Sequence, residues 1–168
     1  LIVDGSQSAK MYFGAEAFGK RSVLAHELTH ALLDVYVLPA WFGEGIATLV
    51  EMDYVRKAHG VRGSGDALAM GVDSDGYNVL QTWRGHGSTL PFRSDETYAA
   101  AYTIVSEIRH RFGDDVFPLI FKELDRNLAR LRSKPVTASD VVRAIERTTG
   151  KDARPYFQEI RFRLEPST

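Results

Sequence analysis

The spacing of apolar and polar positions along the chain predicts a mostly helical protein. From Arg21 onward, apolar residues recur every three to four positions, which is the period of one face of an α-helix. Ser22 can cap the first helical segment and Pro39 ends it, and a second segment follows over about Trp41–Lys57. The apolar face of the first segment consists of Val23, Leu24, Leu28, Ala31, Leu32 and Val35.

The part of the chain after residue 93 also has helical spacing, and its segments begin or end at residues that commonly cap helices. The predicted helices run from Ser94 to Gly113, from Asp114 or Asp115 to about Leu131, from a capping box at Thr137–Asp140 to Gly150, and over Ala153–Leu164. Before residue 21, only Lys10–Phe13 alternates between polar and apolar residues, which predicts one short edge strand.

Residues 58–93 differ from the rest of the chain in their glycine content, since seven of the 14 glycines lie there. A segment of this length without regular structure is usually a functional or a mobile loop, although Asp66–Met70 has the spacing of a short helix. We therefore expect a single domain, residues 1–168. Its parts are an edge strand and first helix (1–39), a second helix (40–57), a glycine-rich loop (58–93) and a helical lobe (94–168).

The composition is typical of a globular domain, with 44% hydrophobic and 26% charged residues. Because 21 basic and 22 acidic residues leave a net charge of −1, nothing favours nucleic acid as a partner. No apolar run approaches the roughly 18–20 residues that a membrane span needs. The absence of cysteine excludes disulfides, thiolate zinc sites and iron–sulfur clusters. The start at Leu1 suggests a processed chain, with a lean towards a secreted or extracytoplasmic bacterial protein, and no oligomeric state is favoured.

The candidate chemistry lies in the first predicted helix, where residues 26–30 read His-Glu-Leu-Thr-His. Residues four apart lie above one another on a helix, so His26 and His30 point the same way and can bind one metal ion. Two neutral imidazoles at this spacing suit zinc. Glu27 lies beside His26 without being forced to bind the metal, and it can take a proton from a metal-activated water.

The same residues also fit a solvated helix surface that binds no metal. Apolar residues on both sides of the motif favour a buried helix instead, and two histidines in a buried helix need polar partners. A catalytic zinc site also requires a third protein ligand and an open position. Glu44, separated from His30 by thirteen residues, can supply that ligand if the turn at Pro39 folds the second helix back. Without the upstream motif, a solvated acid in a first helical turn would be the favoured interpretation of Glu44.

Together these segments resemble the gluzincin metallopeptidases. Residues 26–31 are similar to the active-site helix of the thermolysin-like enzymes, and residues 41–47 (WFGEGIA) are similar to the WLNEGFA segment of the zinc aminopeptidases. The resemblance is strongest to the small peptidase MA-like domains. It implies an α+β, mostly helical, compact zincin-like fold with a small N-terminal sheet remnant, an active-site helix, a glutamate helix and a C-terminal helical lobe. It also implies that His26, His30 and Glu44 bind Zn²⁺ and that Glu27 is the general base.

A weaker likeness covers residues 97–105, which are similar to the aminopeptidase segment whose tyrosine stabilises the oxyanion. That tyrosine falls on Tyr98, although Ala100 and Ala101 replace the family's Lys-Gly pair. Tyr98 also begins an apolar helix face, so it fits a core position as well, and Tyr102 is the alternative candidate. The family's Gly-x-Met-Glu-Asn segment, which anchors a free amino terminus, has no counterpart before the motif, and this favours an endopeptidase.

Several other polar residues are secondary candidates. Asp34 and Glu51 can orient a ligand histidine. His86, between two glycines of the loop, can donate to the oxyanion or lie in a lid, or it can simply be exposed. His59 and His110 are expected at the surface.

The sequence thus predicts a zinc-dependent peptide-bond hydrolase that acts on a peptide or protein substrate. The alternative is a catalytically inactive, peptidase-like binding module that keeps the same fold. An inactive module has no chemical need for Glu27, which favours the enzyme.

Overall fold

A computed structural model describes residues 2–3, 9–10, 21–59, 71–85, 94–126 and 134–165. It confirms that the chain is mostly helical. Over the described residues, two short strands, β1 (Ile2–Val3) and β2 (Ala9–Lys10), are followed by α1 (Arg21–Leu33), α2 (Ala40–His59), a 3₁₀ turn (Val79–Thr82), α3 (Ser94–Phe112), α4 (Val116–Asp125), α5 (Ala138–Thr149) and α6 (Arg154–Glu159).

The two strands pair antiparallel, with Ile2 opposite Lys10 and Val3 opposite Ala9. Lys10, the first residue of the predicted edge strand, lies in β2, and the rest of that stretch lies outside the described residues. A pair of two-residue strands is too short to test the predicted N-terminal sheet, which stays a prediction.

Helix α2 is the central element, because it packs against both α1 and α3. Its apolar residues Trp41, Phe42 and Ile46 are buried. The ring of Trp41 lies edge-on to that of Phe162, with 5.1 Å between their centroids, so the C-terminal segment closes over the start of α2. Among the described helices, none combines the length and apolarity needed to cross a lipid bilayer.

The predicted last helix, Ala153–Leu164, is too long. Helix α6 ends at Glu159, and Arg161 then adopts a left-handed backbone conformation with φ of 57°. The turn directs Ile160 and Phe162 into the core, where both side chains are buried. Burial of these two side chains stabilises a turn that the apolar spacing alone does not reveal.

The caps of the C-terminal helices agree with the sequence. Thr137 and Asp140 form the predicted capping box of α5, and Gly150 ends the helix in the left-handed conformation with φ of 70°. Gly113 ends α3 and Asp115 precedes α4. Helix α4 ends at Asp125, and the predicted continuation to Leu131 lies outside the described residues.

Helix α1 differs from its prediction in which face it buries. The apolar residues Leu28, Leu32 and Val35 are exposed, by 78% in the case of Leu32. The face that packs on α2 carries His26, His30 and the buried Thr29 instead. The expectation of a helix buried on its apolar face is therefore wrong, because the histidine face lies between α1 and α2.

The described part of the glycine-rich segment is anchored to the core. Val72 and Asn78 form a β-bridge, and the Asn78 side chain accepts a hydrogen bond from the Leu80 backbone N–H at 3.0 Å. Leu80 and Trp83 are buried. The predicted short helix at Asp66–Met70 lies outside the described residues.

Gly45 lies at a close contact between α2 and α3. A Cβ atom at this position would lie 2.5 Å from Cγ2 of Val105 and 2.7 Å from the carbonyl oxygen of Ala101. Real Cβ atoms do not come so close to a backbone oxygen, so only glycine fits without displacing a helix. The glycine that follows Glu44 therefore sets the distance between α2 and α3.

We expect Gly45→Ala to lower the free energy of unfolding by about 1–3 kcal/mol, because the added methyl group overpacks the contact. Urea denaturation measures this effect. Gly43→Ala is the matched control, since a Cβ there meets only the Leu38 Cβ at an ordinary 3.8 Å. Alanine at position 43 should leave stability equal or raise it by up to about 1 kcal/mol. Equal losses in the two variants would contradict the steric explanation.

Candidate metal centre

The turn between α1 and α2 brings the two helices together at the histidines. Tyr36 donates its backbone N–H to the Leu33 carbonyl at 3.0 Å, and Pro39 accepts from Phe42 at 2.9 Å and from Gly43 at 3.1 Å. The first bond follows the end of α1 and the other two begin α2, so few residues separate the helices. Glu44, in the second turn of α2, therefore faces the histidine side of α1.

The side chains of His26, His30 and Glu44 converge on one point. The Nε2 atoms of the two histidines are 3.1 Å apart. Oε2 of Glu44 lies 3.0 Å from Nε2 of His30 and 3.3 Å from Nε2 of His26. Three potential ligand atoms thus form a nearly equilateral triangle, and this group can hold a metal ion.

The size of the triangle fits a small divalent ion. Ligand atoms about 2.0–2.1 Å from a tetrahedral zinc lie about 3.3–3.4 Å from one another. The three observed separations, 3.0–3.3 Å, are close to these values. Two imidazole nitrogens and one carboxylate oxygen are also a ligand set that occurs at catalytic zinc sites, where the fourth position stays open.

The charges of the three side chains are strongly coupled. Burial alone would lower the pKa of His26, but the carboxylates of Glu44 and Glu51 outweigh burial and raise it to about 9. Burial likewise opposes ionisation of Glu44, but hydrogen bonds from the two imidazoles lower its pKa to about 2. Without a metal, a protonated His26 therefore pairs with an ionised Glu44 at neutral pH.

This ion pair predicts how the stability of the metal-free protein depends on pH. Because the pKa of His26 is raised from 6.5 to about 9, its contribution is complete below pH 6.5 and disappears as the pH rises through 9. Because the pKa of Glu44 is lowered from 4.5 to about 2, its contribution is complete above pH 4.5 and disappears as the pH falls through 2. The pair should therefore stabilise the metal-free fold most between pH 4.5 and 6.5.

We expect the metal-free protein to lose about 1–2 kcal/mol of stability between pH 6.5 and 9.5 from this pair, after allowance for solvent screening. Urea unfolding in the presence of a chelator measures the loss. His26→Gln is the control, because it removes the titrating group. Parallel pH profiles for wild type and His26→Gln would contradict the assignment.

The other ring nitrogen of His26 contacts a second acid. Nδ1 of His26 lies 3.2 Å from Oε2 of Glu51, two turns further along α2 than Glu44. The contact is an ion pair without the alignment of a good hydrogen bond, since Nδ1 has no hydrogen-bond partner of good geometry. The contact with His26 has the largest effect in lowering the pKa of Glu51, and a hydrogen bond with Ser22 lowers it further. Glu51 is therefore positioned to orient the His26 ring, whereas Asp34 lies exposed beside the cavity described below.

Tyr98 lies beside the histidines, on α3. Its ring centroid is 6.3 Å from that of His26 and 5.2 Å from that of Trp83, which it meets edge-on. Burial and the negative charges of Glu44 and Glu27 raise the pKa of Tyr98 to about 12. The Tyr98 hydroxyl therefore stays protonated at neutral pH and is available as a hydrogen-bond donor. Tyr102, the alternative candidate, is buried in the core.

Of the remaining sequence candidates, only His110 has a described side chain. His110 is exposed on α3, as expected. His59 ends α2, and nothing further is described of its side chain. His86 lies outside the described residues. Trp83 and Arg84, which the sequence did not single out, lie next to the site. They were missed because residues 58–93 are rich in glycine and show no regular apolar spacing.

A cavity of about 260 Å³ opens beside the triangle. His30 and Glu44 form one part of its wall, and Arg84 and Gly85 another. The triangle can thus be reached by a molecule that enters this cavity. Comparison of the chain with models of known families, with curated proteins and with solved structures finds no match in any of the three.

Proposed function

We propose that this protein is a zinc-dependent peptidase of the gluzincin type. The observation that carries the proposal is the triangle formed by Nε2 of His26, Nε2 of His30 and Oε2 of Glu44, with sides of 3.0–3.3 Å. The geometry suggests a metal site, and the resemblance of residues 26–31 and 41–47 to the gluzincins suggests that its reaction is peptide-bond hydrolysis.

His26, His30 and Glu44 would hold the ion through these three atoms. When bound, zinc lowers the pKa of a water molecule to about 7 and polarises a carbonyl group. Glu51 would keep Nε2 of His26 turned towards the ion by holding Nδ1 on the other side of the ring.

Glu27 is the proposed general base. It follows His26 on the same helix without belonging to the triangle, and its negative charge contributes to the raised pKa of Tyr98. Its carboxylate would accept a proton from the attacking water and later give it to the leaving amine.

Tyr98 is the proposed donor to the oxyanion that forms at the scissile carbonyl. Its raised pKa of about 12 keeps the proton on the hydroxyl throughout the neutral range, as a hydrogen-bond donor requires. The proposed activity is that of an endopeptidase, because residues 1–25 contain no Gly-x-Met-Glu-Asn segment of the kind that anchors a free amino terminus in the aminopeptidases.

Removal and restoration of the metal test the proposed function. We expect the purified protein to contain about one zinc ion per chain by mass spectrometry and to cleave casein or a quenched fluorescent peptide. A chelator should abolish cleavage, and equimolar Zn²⁺ should restore it, whereas Mg²⁺ should not, because Mg²⁺ prefers oxygen ligands. Bound zinc without cleavage of any peptide would indicate the inactive binding module, and absence of zinc binding would overturn the proposal.

A further inference from the structure

The wall of the cavity beside the metal centre includes a positively charged side chain. Arg84 lines this cavity and is exposed. Its guanidinium takes part in none of the ion pairs or hydrogen bonds found among the described residues, and the same holds for Arg21, Arg154 and Arg161, but only Arg84 of these four lines the cavity. An arginine without an acidic partner next to a candidate active site has a role to be explained.

The rest of the wall suits a short, partly apolar group. Leu33, Leu38 and Ala40 contribute apolar surface to the cavity. Gly85 lies close to the ligand Glu44, since a Cβ atom at position 85 would be 3.8 Å from Oε1 of Glu44. Arg84 is thus followed by Gly85, which has no side chain to fill the space beside the metal centre.

We propose that Arg84 binds a carboxylate of the substrate in this cavity, next to the scissile bond. This inference rests on the proposed function, because it assigns a substrate preference to the same site. The carboxylate belongs either to an acidic side chain or to the free C terminus of the peptide. Both present the same planar group, which the guanidinium fork can bind through two parallel hydrogen bonds.

Asp34 is the competing charge, because it also lines the cavity and is exposed. If Asp34 dominated, the cavity would select a basic group. A divalent ion at the triangle more than compensates the charge of Glu44, and Arg84 lies on the same cavity. Because Asp34 and the proposed base Glu27 offset the remaining positive charge, the placement of the Arg84 guanidinium, and not the net charge, favours the anion.

A binding experiment on the zinc-loaded protein tests the proposal without the need for turnover. The probes are the mono-hydroxamates of succinic, glutaric and adipic acid, each compared with the analogue in which the free carboxylate is a carboxamide. We expect the best carboxylate probe to bind about tenfold more tightly than its amide, as one charge-assisted contact near solvent provides. Arg84→Gln should abolish this ratio, Arg84→Lys should restore part of it, and Asp34→Asn should keep or increase it.

Two results would overturn the proposal: an equal affinity of the acid and amide probes for the wild type, or a ratio that Arg84→Gln leaves unchanged. Either result leaves the peptidase assignment intact, because the hydroxamates still bind. Failure of the protein to bind zinc would overturn the peptidase assignment together with the proposal. If zinc binds but no peptide is cleaved, the probe ratios still decide the role of Arg84.

Quenched peptides then identify the source of the carboxylate. One set places Glu, Gln or Lys next to the scissile bond, and each peptide is made with a free and with an amidated C terminus. A kcat/KM about tenfold higher for Glu than for Gln assigns the contact to a side chain. The same advantage for the free C terminus over the amide assigns it to the terminus. A preference for Lys that Asp34→Asn removes would contradict the proposal.

Discussion

Glu27→Gln is expected to slow peptide hydrolysis by about a hundred- to ten-thousandfold, the usual contribution of a general base, while the protein keeps its zinc. Glutamine preserves the size and polarity of the side chain but cannot accept the proton of the attacking water. Because Glu27 is not part of the triangle of ligand atoms, zinc affinity should change little. The measurements are kcat/KM on a quenched peptide and zinc content by mass spectrometry on the same preparation.

Glu165→Gln is a suitable control for the loss of one carboxylate, since Glu165 is exposed in the C-terminal extended segment. It should retain full activity. Equal activity of wild type and Glu27→Gln would contradict the role of Glu27 as the base. A Glu27→Gln protein that had lost both activity and zinc would instead place Glu27 among the groups that hold the metal.

Glu44→Ala should weaken zinc binding more than about 100-fold. Replacement of a residue that only orients a ligand lowers metal affinity by about 10- to 100-fold. Replacement of a direct ligand should lower it further. The change removes the only oxygen of the triangle, so two imidazoles from a single helix would remain. Competition with a chromophoric chelator measures the affinity over the required range.

Glu51→Gln is the matched comparison for this prediction, because it removes an acid from the same helix that contacts His26 only through Nδ1. We expect its zinc affinity to fall by about 10- to 100-fold. The order of the two losses is the decisive result. A larger loss for Glu51→Gln than for Glu44→Ala would contradict the assignment of Glu44 as the third ligand.

Local features of the fold could be predicted because their causes lie within a few residues. The capping box at Thr137 and the left-handed Gly150 follow from side-chain chemistry and backbone freedom at neighbouring positions. The end of α6 could not be predicted in this way. It depends on the burial of Phe162 against Trp41, a contact between residues more than a hundred positions apart.

The same distinction applies to the buried and exposed faces of α1. The apolar spacing correctly predicted a helix, but it assigned the buried face to Leu28, Leu32 and Val35, which are exposed. Hydrophobic spacing identifies the face that is most costly to leave in water. It does not include the favourable interaction of His26 and His30 with Glu44, because Glu44 lies on another helix.

What the sequence determined by itself is the helix that carries His26 and His30 and the common direction of their rings, because a four-residue separation on a helix is a local geometric rule. The sequence offered Glu44, Glu51 and Tyr98 as candidates but did not place Arg84, and the tertiary structure decides where each of these groups lies relative to the two rings. Glu44 completes the triangle, Glu51 contacts the outer nitrogen of His26, Tyr98 lies against the His26 ring, and Arg84 faces the adjoining cavity. These partners come from α2, α3 and the glycine-rich segment, and their positions depend on how the helices pack, as the close approach at Gly45 illustrates. Packing distances between elements arise from many side chains at once, so no short stretch of sequence contains them.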